Sequence, residues 1–329
     1  MTYAPARWLP GANAMTVFAS VARVFPRPRA TRERWQLPDG DFLDLDRFEP
    51  PQADRAGAAG KGPVLVICHG LEGSSRAPYV RGLAAAALSA GLPALALNFR
   101  GCSGETNRLP RFYHSGETGD LALLVDRLVA ERPGRPILLA GFSLGGNVVV
   151  KYLGERGDGL PTEVRGAAAI SVPYDLERSA RVIDGPGFWN WVYRERFMRR
   201  LRRKAVEKGR RFPEAFDTGR AARARTFAEF DAAVTAPLHG FPSAEAYWRE
   251  SSAGRFLGGV RRPLLALASL DDPIVPAESI PVAEARRNPH VTLEVAAAGG
   301  HVAFVSGGPL RPSFWAERRA VEFLAPLAR

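Results

Sequence analysis

The sequence predicts an α/β fold, a mostly parallel sheet with helices on both faces, interrupted by one mainly helical insertion. Three observations carry that prediction. Short apolar runs alternate with helical segments, as strands joined by crossover helices do. The alternation stops between about Pro173 and Arg255 and then resumes. One apolar run ends in a Gly-x-Ser-x-Gly turn that opens a helix.

Composition agrees with a folded chain. Of 329 residues, 46% are hydrophobic and 24% charged, close to the average for globular proteins. That excludes a mostly disordered chain, and the glycines and prolines show no collagen-like period. The length suits two domains or one large domain with an insertion. There is no apolar window of about 18 residues, and the N-terminus lacks a basic segment followed by an apolar one, so neither a membrane span nor a signal peptide is expected. Two cysteines, Cys68 and Cys102, cannot make a disulfide framework. A cytoplasmic location is expected. The net charge of +11 raises nucleic acid or membrane as partners.

In chain order, the first thirty residues are weakly periodic. Pro38-Asp39-Gly40-Asp41 between Trp35-Gln36-Leu37 and Phe42-Leu43-Asp44-Leu45 signals a hairpin. Residues 51–62, rich in Ala and Gly, read as a loop. The apolar runs from Pro63 to Cys68, Leu92 to Asn98, Ile137 to Ala140, Ala167 to Val172 and Pro263 to Ala268 read as strands buried on both faces, and Val291 to Val295 as a further strand. Helices are expected over 78–91, 117–132, 147–154, near 281–288 and from about Pro312 to Leu327. No repeat is present.

Gly141-Phe142-Ser143-Leu144-Gly145 places Ser143 on a sharp strand-to-helix turn. Glycines belong there because neighbouring Cβ atoms would clash. The helix start offers free N–H groups to a developing oxyanion. A nucleophilic serine needs a base, and in the Ser, acid, His order the base follows. Of the five histidines, His69 and His114 precede Ser143. His239 lies in the insertion with no strand-end acid before it, and His290 fits a surface loop. His301 follows a strand and a run of small residues, and is the candidate. The acid should end the preceding strand, where Asp271 and Asp272 stand side by side; one would face His301 and the other cap the turn. His69-Gly70-Leu71-Glu72-Gly73 is a second strand-end loop. The Leu71 N–H would pair with that of Leu144 to hold an oxyanion, with His69 bracing the loop. Cys68 and Cys102 read as buried small hydrophobes.

Several stretches resemble one family. They are His69-Gly70-Leu71-Glu72-Gly73-Ser74-Ser75, Asn98-Phe99-Arg100-Gly101-Cys102-Ser103-Gly104, Tyr113-His114-Ser115-Gly116-Glu117, Gly141 to Asn147, Asp271-Asp272-Pro273 and Gly299-Gly300-His301. Together they resemble the α/β hydrolases, in the YheT-like esterase branch related to eukaryotic acylglycerol lipases and esterases. The resemblance covers nearly the whole chain. It implies a triad of Ser143, Asp272 and His301, choosing the second aspartate, and serine-dependent ester hydrolysis without metal or organic cofactor. That branch often has a histidine where this chain has Gly11-Ala12-Asn13-Ala14.

On this reading, residues 1–171 and 256–329 form the hydrolase core and 172–255 a lid. Phe188, Trp189, Trp191, Phe197, Met198, Phe227, Phe230, Phe241, Tyr247 and Trp248 would hold the lid down or line a pocket. Between Trp191 and Arg211 stand ten Lys/Arg against two Glu. The spacing of Phe197, Met198, Leu201 and Ala205 predicts an amphipathic helix with the arginines on the outer face. A solvated face is the first reading and docking on anionic lipid the second. Nucleic acid is not expected, since no recognition motif accompanies the charge. The expected activity is hydrolysis of carboxylic esters, from short-chain to monoacyl lipid esters. A thioesterase or amidase, or a non-catalytic scaffold binding lipid or protein, would fit the same fold.

Overall fold

The computed structural model describes residues 2–23, 28–49 and 62–329. Except for Gly62, the loop expected over 51–62 lies outside them. Eight strands form one sheet: β1 (Ala30–Gln36), β2 (Phe42–Phe48), β3 (Val64–Cys68), β4 (Ala94–Asn98), β5 (Ile137–Phe142), β6 (Val164–Ile170), β7 (Leu264–Ser269) and β8 (Val291–Ala296). Their order is β1-β2-β4-β3-β5-β6-β7-β8. The β1–β2 and β2–β4 pairs are antiparallel and the remaining five parallel. The continuous apolar runs are the central strands: β3, β4, β5 and β7 are buried at every position. β8, on the edge, is only partly covered.

Helices α1 (Ala12–Val21), α2 (Pro78–Ser89), α3 (Gly119–Glu131), α4 (Leu144–Arg156), α5 (Leu176–Asp184), α6 (Phe188–Arg211), α7 (Thr218–Arg223), α8 (Phe227–Phe230), α9 (Ala236–Leu238), α10 (Ala244–Ser251), α11 (Val282–Arg287) and α12 (Trp315–Leu324) complete the fold. α3 and α4 bury Leu121, Leu124, Val148 and Val149 against one face of the sheet. α2 and α12 bury Leu83, Ala84, Trp315 and Leu324 against the other. Full burial of one such leucine is worth roughly 2 kcal/mol, so this two-sided core holds the strand ends in fixed positions.

Three local expectations need correction. The N-terminal segment contains α1, whose buried residues are Met15 and Ala19 alone; so narrow a stripe gives little periodic signal. The final helix starts at Trp315. Before it, β9 (Val305–Gly308) and β10 (Arg311–Phe314) form a separate hairpin, because Gly307, Gly308 and Pro312 favour turn and edge backbone over helix. α4 starts at Leu144, directly after the serine and three residues before the expected Asn147. Its opening glycines are poor helix formers, and they are there for want of space.

Between β6 and β7 the described chain is helical. Its own apolar cluster includes Leu176, Ile183, Met198, Phe227, Phe230 and Trp248, and closes onto Ile274, Val275 and Leu71 of the sheet-end loops. Most arginines of α6 lie on its exposed face, as expected, but not all of its basic residues do. Lys208 is fully buried, with Nζ donating to the carbonyls of Asn107, Leu109 and Arg111; burial pulls its pKa down to about 8. Lys204 pairs with Glu72, Arg200 donates to the Glu72 carbonyl, and Arg194 donates to the Ile183 and Gly185 carbonyls. Arg202 is tied to Glu195 and the Ala224 carbonyl. Arg199, Arg203 and Arg210 remain exposed. A long cationic side chain can cross an apolar face and bond backbone beyond it, which the helical spacing of small and apolar residues does not reveal. Among the described residues no helix is long and apolar enough to cross a membrane.

Candidate active site

Ser143 sits between β5 and α4 with φ 52° and ψ −120°, a left-handed conformation that a residue with a Cβ holds at a cost of about 1–3 kcal/mol. The turn around it leaves no room for side chains. A Cβ on Gly141 would lie 2.3 Å from the Gly145 carbonyl oxygen, one on Gly145 2.4 Å from the Cys68 oxygen, and one on Gly146 2.7 Å from Val172. The Asn147 side chain ties α4 to the Ser115 and Ser251 carbonyls and to the Ala253 N–H. Backbone from four segments thus meets behind the hydroxyl.

His301 Nε2 lies 2.9 Å from Ser143 Oγ. Its Nδ1 lies 2.9 Å from Asp272 Oδ2 and 3.1 Å from Oδ1. Asp272 is 8% exposed, and its Oδ1 also accepts the Ile274 and Val275 N–H groups. A carboxylate fixed in this way holds the imidazole with its proton on Nδ1 and leaves Nε2 free to take the hydroxyl proton.

Asp271 has a different task from the turn cap expected. Its Oδ1 accepts the Gly299 and Gly300 N–H groups and so braces the loop that carries His301. The cap of that turn comes from Asp272 itself. α1 supplies a further brace that sequence reasoning missed: Thr16 Oγ1 accepts the His301 N–H. Gly300, at φ 63°, leaves only 2.7 Å between a notional Cβ and the Ala12 carbonyl oxygen. Nothing in the short stretch around Thr16 marks it out, since its partner lies 285 residues away.

Leu71 and Leu144 both line the cavity beside Ser143. Leu144 opens α4, and the first N–H groups of a helix have no partner within it. Around Leu71 the N–H groups are committed: Gly70 to Tyr79 Oη, Glu72 to Tyr113 Oη, Gly73 to the Gly70 carbonyl. Glu72 has φ 54°, and α6 grips it through Arg200 and Lys204. Among the described residues the other non-glycine positive φ values are at Ser143, Ser171, Val302 and Phe304. Ser171 Oγ accepts the Val302 N–H, so backbone strain is concentrated around the Ser143–His301 pair.

His69 is buried and donates no proton to Ser143. Its Nε2 accepts the Phe99 N–H and its Nδ1 donates to the Gly70 carbonyl; burial lowers its pKa to about 4, so it stays neutral. Arg100, directly after β4, is buried and pairs with Asp120, Asp39 and Asp41, joining the first hairpin to α3. Burial pushes the Cys68 thiol up to about 12 and Cys102 up to about 11, so neither is a thiolate near neutrality.

One group of described residues has the spacing of a metal site: atoms of His114, Glu117 and His239 lie within 4.8 Å of one another. Glu117 is already held by Arg111 and the Gly119 N–H, and His114 Nδ1 by the Gly116 N–H. Burial holds both histidines below the usual range, His239 at about 4. His114 and His239 form part of the wall of the cavity beside Ser143, a placement that neither sequence neighbourhood signals. Most of that wall is apolar, with Leu176, Ile183, Phe197, Phe227, Phe230 and Ile274 around a volume of about 120 Å³.

Comparison with known proteins bears on the fold and the family. The family described as alpha/beta hydrolase fold matches residues 63–308. A protein of Escherichia coli named "Putative esterase YheT" is 37% identical over 89% of this chain and 84% of its own. Phospholipase ABHD3 of Mus musculus is 29% identical over 93% of this chain and 74% of its own. Among solved structures, an esterase of Pyrococcus furiosus superposes with a TM-score of 0.58 at 18% identity, covering 94% of this chain and 96% of that one, which is a likeness of fold.

Proposed function

The chain belongs to the alpha/beta hydrolase fold family, and from that premise we propose that it cleaves carboxylic esters, short-chain or monoacyl lipid esters, through Ser143, His301 and Asp272. His301 Nε2 takes the Ser143 proton as Oγ attacks the ester carbonyl. The Leu71 and Leu144 N–H groups hold the oxyanion of the tetrahedral intermediate. The intermediate collapses to an acyl-enzyme and the alcohol leaves with the proton carried by His301. Water, deprotonated by His301, then releases the acid. Asp272 keeps the imidazole in the needed tautomer throughout. Residues 172–255 act as a lid that walls the acyl chain from water. The chain is a carboxylic ester hydrolase like the relatives named above.

The observation that carries the reading is the unbroken hydrogen-bonded line from Asp272 through His301 to Ser143. A fluorophosphonate probe should label Ser143, and a series of p-nitrophenyl esters should be turned over with a preference set by acyl length. Ser143→Ala should abolish labelling and lower kcat by about 10⁴–10⁶, since such groups act as a unit. Activity of the variant above a tenth of wild type would remove Ser143 as nucleophile.

A further inference from the structure

The loop that carries His301 is strained just beyond the imidazole. Val302 has φ 55° and Phe304 φ 41°. The left-handed region is costly for a β-branched residue, and such a conformation lasts only where its surroundings over-determine it. Side chains from outside the loop do so here. Thr16 Oγ1 accepts the His301 N–H, and Ser171 Oγ accepts the Val302 N–H. Arg23, just past the end of α1, donates from Nη2 to the Val302 carbonyl at 2.8 Å. Successive peptide groups from Gly300–His301 to Val302–Ala303 are thus each fixed by a side chain.

Every nitrogen of the Arg23 guanidinium has its own target. Nε donates to the Ala19 carbonyl in the last turn of α1 at 2.9 Å. Nη1 pairs with Glu317 of α12, and Nη2 reaches Val302. The group stands 4.0 Å from the centre of the Phe314 ring. Its side chain is 1% exposed, and Glu317, also buried, supplies the counter-charge that a buried cation needs. A planar fork with donors in fixed directions can join α1, α12 and the His301 loop at once; a lysine ammonium, a point charge on a flexible stem, cannot match that set. We propose that Arg23 is a positioning residue for the reaction: anchored by Glu317, it holds the Val302 carbonyl so that His301 Nε2 stays within reach of Ser143 Oγ. This rests on the ester-hydrolase reading above. Arg23 acts through the backbone of Val302 and takes no proton itself.

The test is kcat on p-nitrophenyl butyrate per site titrated with a fluorophosphonate, together with KM and the urea midpoint. Arg23→Met/Glu317→Leu replaces the pair with apolar residues and strands no buried charge, a kind of exchange that folded proteins tolerate. Its kcat per site should fall by about 30-fold with KM within about twofold, because a misplacement of about 1 Å at a reacting group costs up to about 10²-fold in rate. Arg23→Lys keeps a charge opposite Glu317 but not the fork, and should fall as far. A role confined to stability would lower the urea midpoint and the number of titratable sites and leave kcat per site unchanged. That result in the double variant overturns the proposal, and so does wild-type kcat per site in Arg23→Lys. Should the double variant fail to fold, Arg23→Lys decides by the same readings. A wild type that neither turns over the ester nor takes the probe at Ser143 removes the hydrolase reading and this one together; a wild type that does both, with variants equal to it per site, removes the positioning role alone.

Discussion

The loops at the sheet's edge and the helical insertion both line the cavity beside Ser143, but they reach it in different ways. The loops work through backbone. Gly141, Gly145 and Gly146 are held against carbonyls and a buried valine with no space for a methyl group, and Asp271 and Asp272 fix their surroundings by accepting main-chain N–H groups. The insertion works through long side chains. Lys204, Lys208 and Arg200 cross from α6 to carbonyls and a carboxylate on the core. Backbone placement tolerates almost no change of residue. Side-chain placement depends on which face of α6 meets the core, and that is a property of packing.

The largest expected effect lies on the loop side, where neighbouring aspartates allow the contrast to be broken cleanly. Asp272→Asn should lower kcat by about 10⁴ through loss of the imidazole's orientation. Asp271→Asn should lower it by less than about tenfold, because the amide oxygen can still accept the Gly299 and Gly300 N–H groups. Steady-state kinetics on one p-nitrophenyl ester decide it, and the opposite ranking would exchange their roles.

Next in size is Gly145→Ala. Its Cβ would meet the Cys68 and His69 carbonyl oxygens at 2.4 and 2.5 Å, backbone that cannot yield without moving β3. A loss of about 3 kcal/mol in unfolding free energy is expected, with activity falling in parallel. A urea midpoint equal to that of wild type would mean that the elbow has slack.

The smallest effects sharpen the comparison within α6. Lys208→Met keeps the length and leaves three carbonyls without their donor, a loss of about 2 kcal/mol. Arg203→Gln should change stability by less than about 0.5 kcal/mol. Equal urea midpoints for the two variants would return α6 to the simple amphipathic helix that its spacing suggests.

Local chemistry made much of this molecule readable. Buried strands need continuous apolar residues, so β3 to β7 stand out in the one-dimensional record. A sharp turn needs glycines, so Ser143 is marked by its own neighbours. Small residues after β8 pointed to His301 in the same way. Adjacent Asp271 and Asp272 were different: both are acidic, both end β7, and the family resemblance rather than local physics selected between them. The hydrogen bonds of Asp272 to His301 and of Asp271 to the loop behind it required the three-dimensional arrangement. Thr16, His114, His239 and the inward-facing Lys204 and Lys208 have no local signature either. Each acts on a partner about 100 or more residues away in the chain, and its neighbours in sequence carry no record of that contact. Period and turn chemistry act over a few residues and leave a trace in order; the pairing of side chains across elements depends on which faces the core brings together, and only folding sets that.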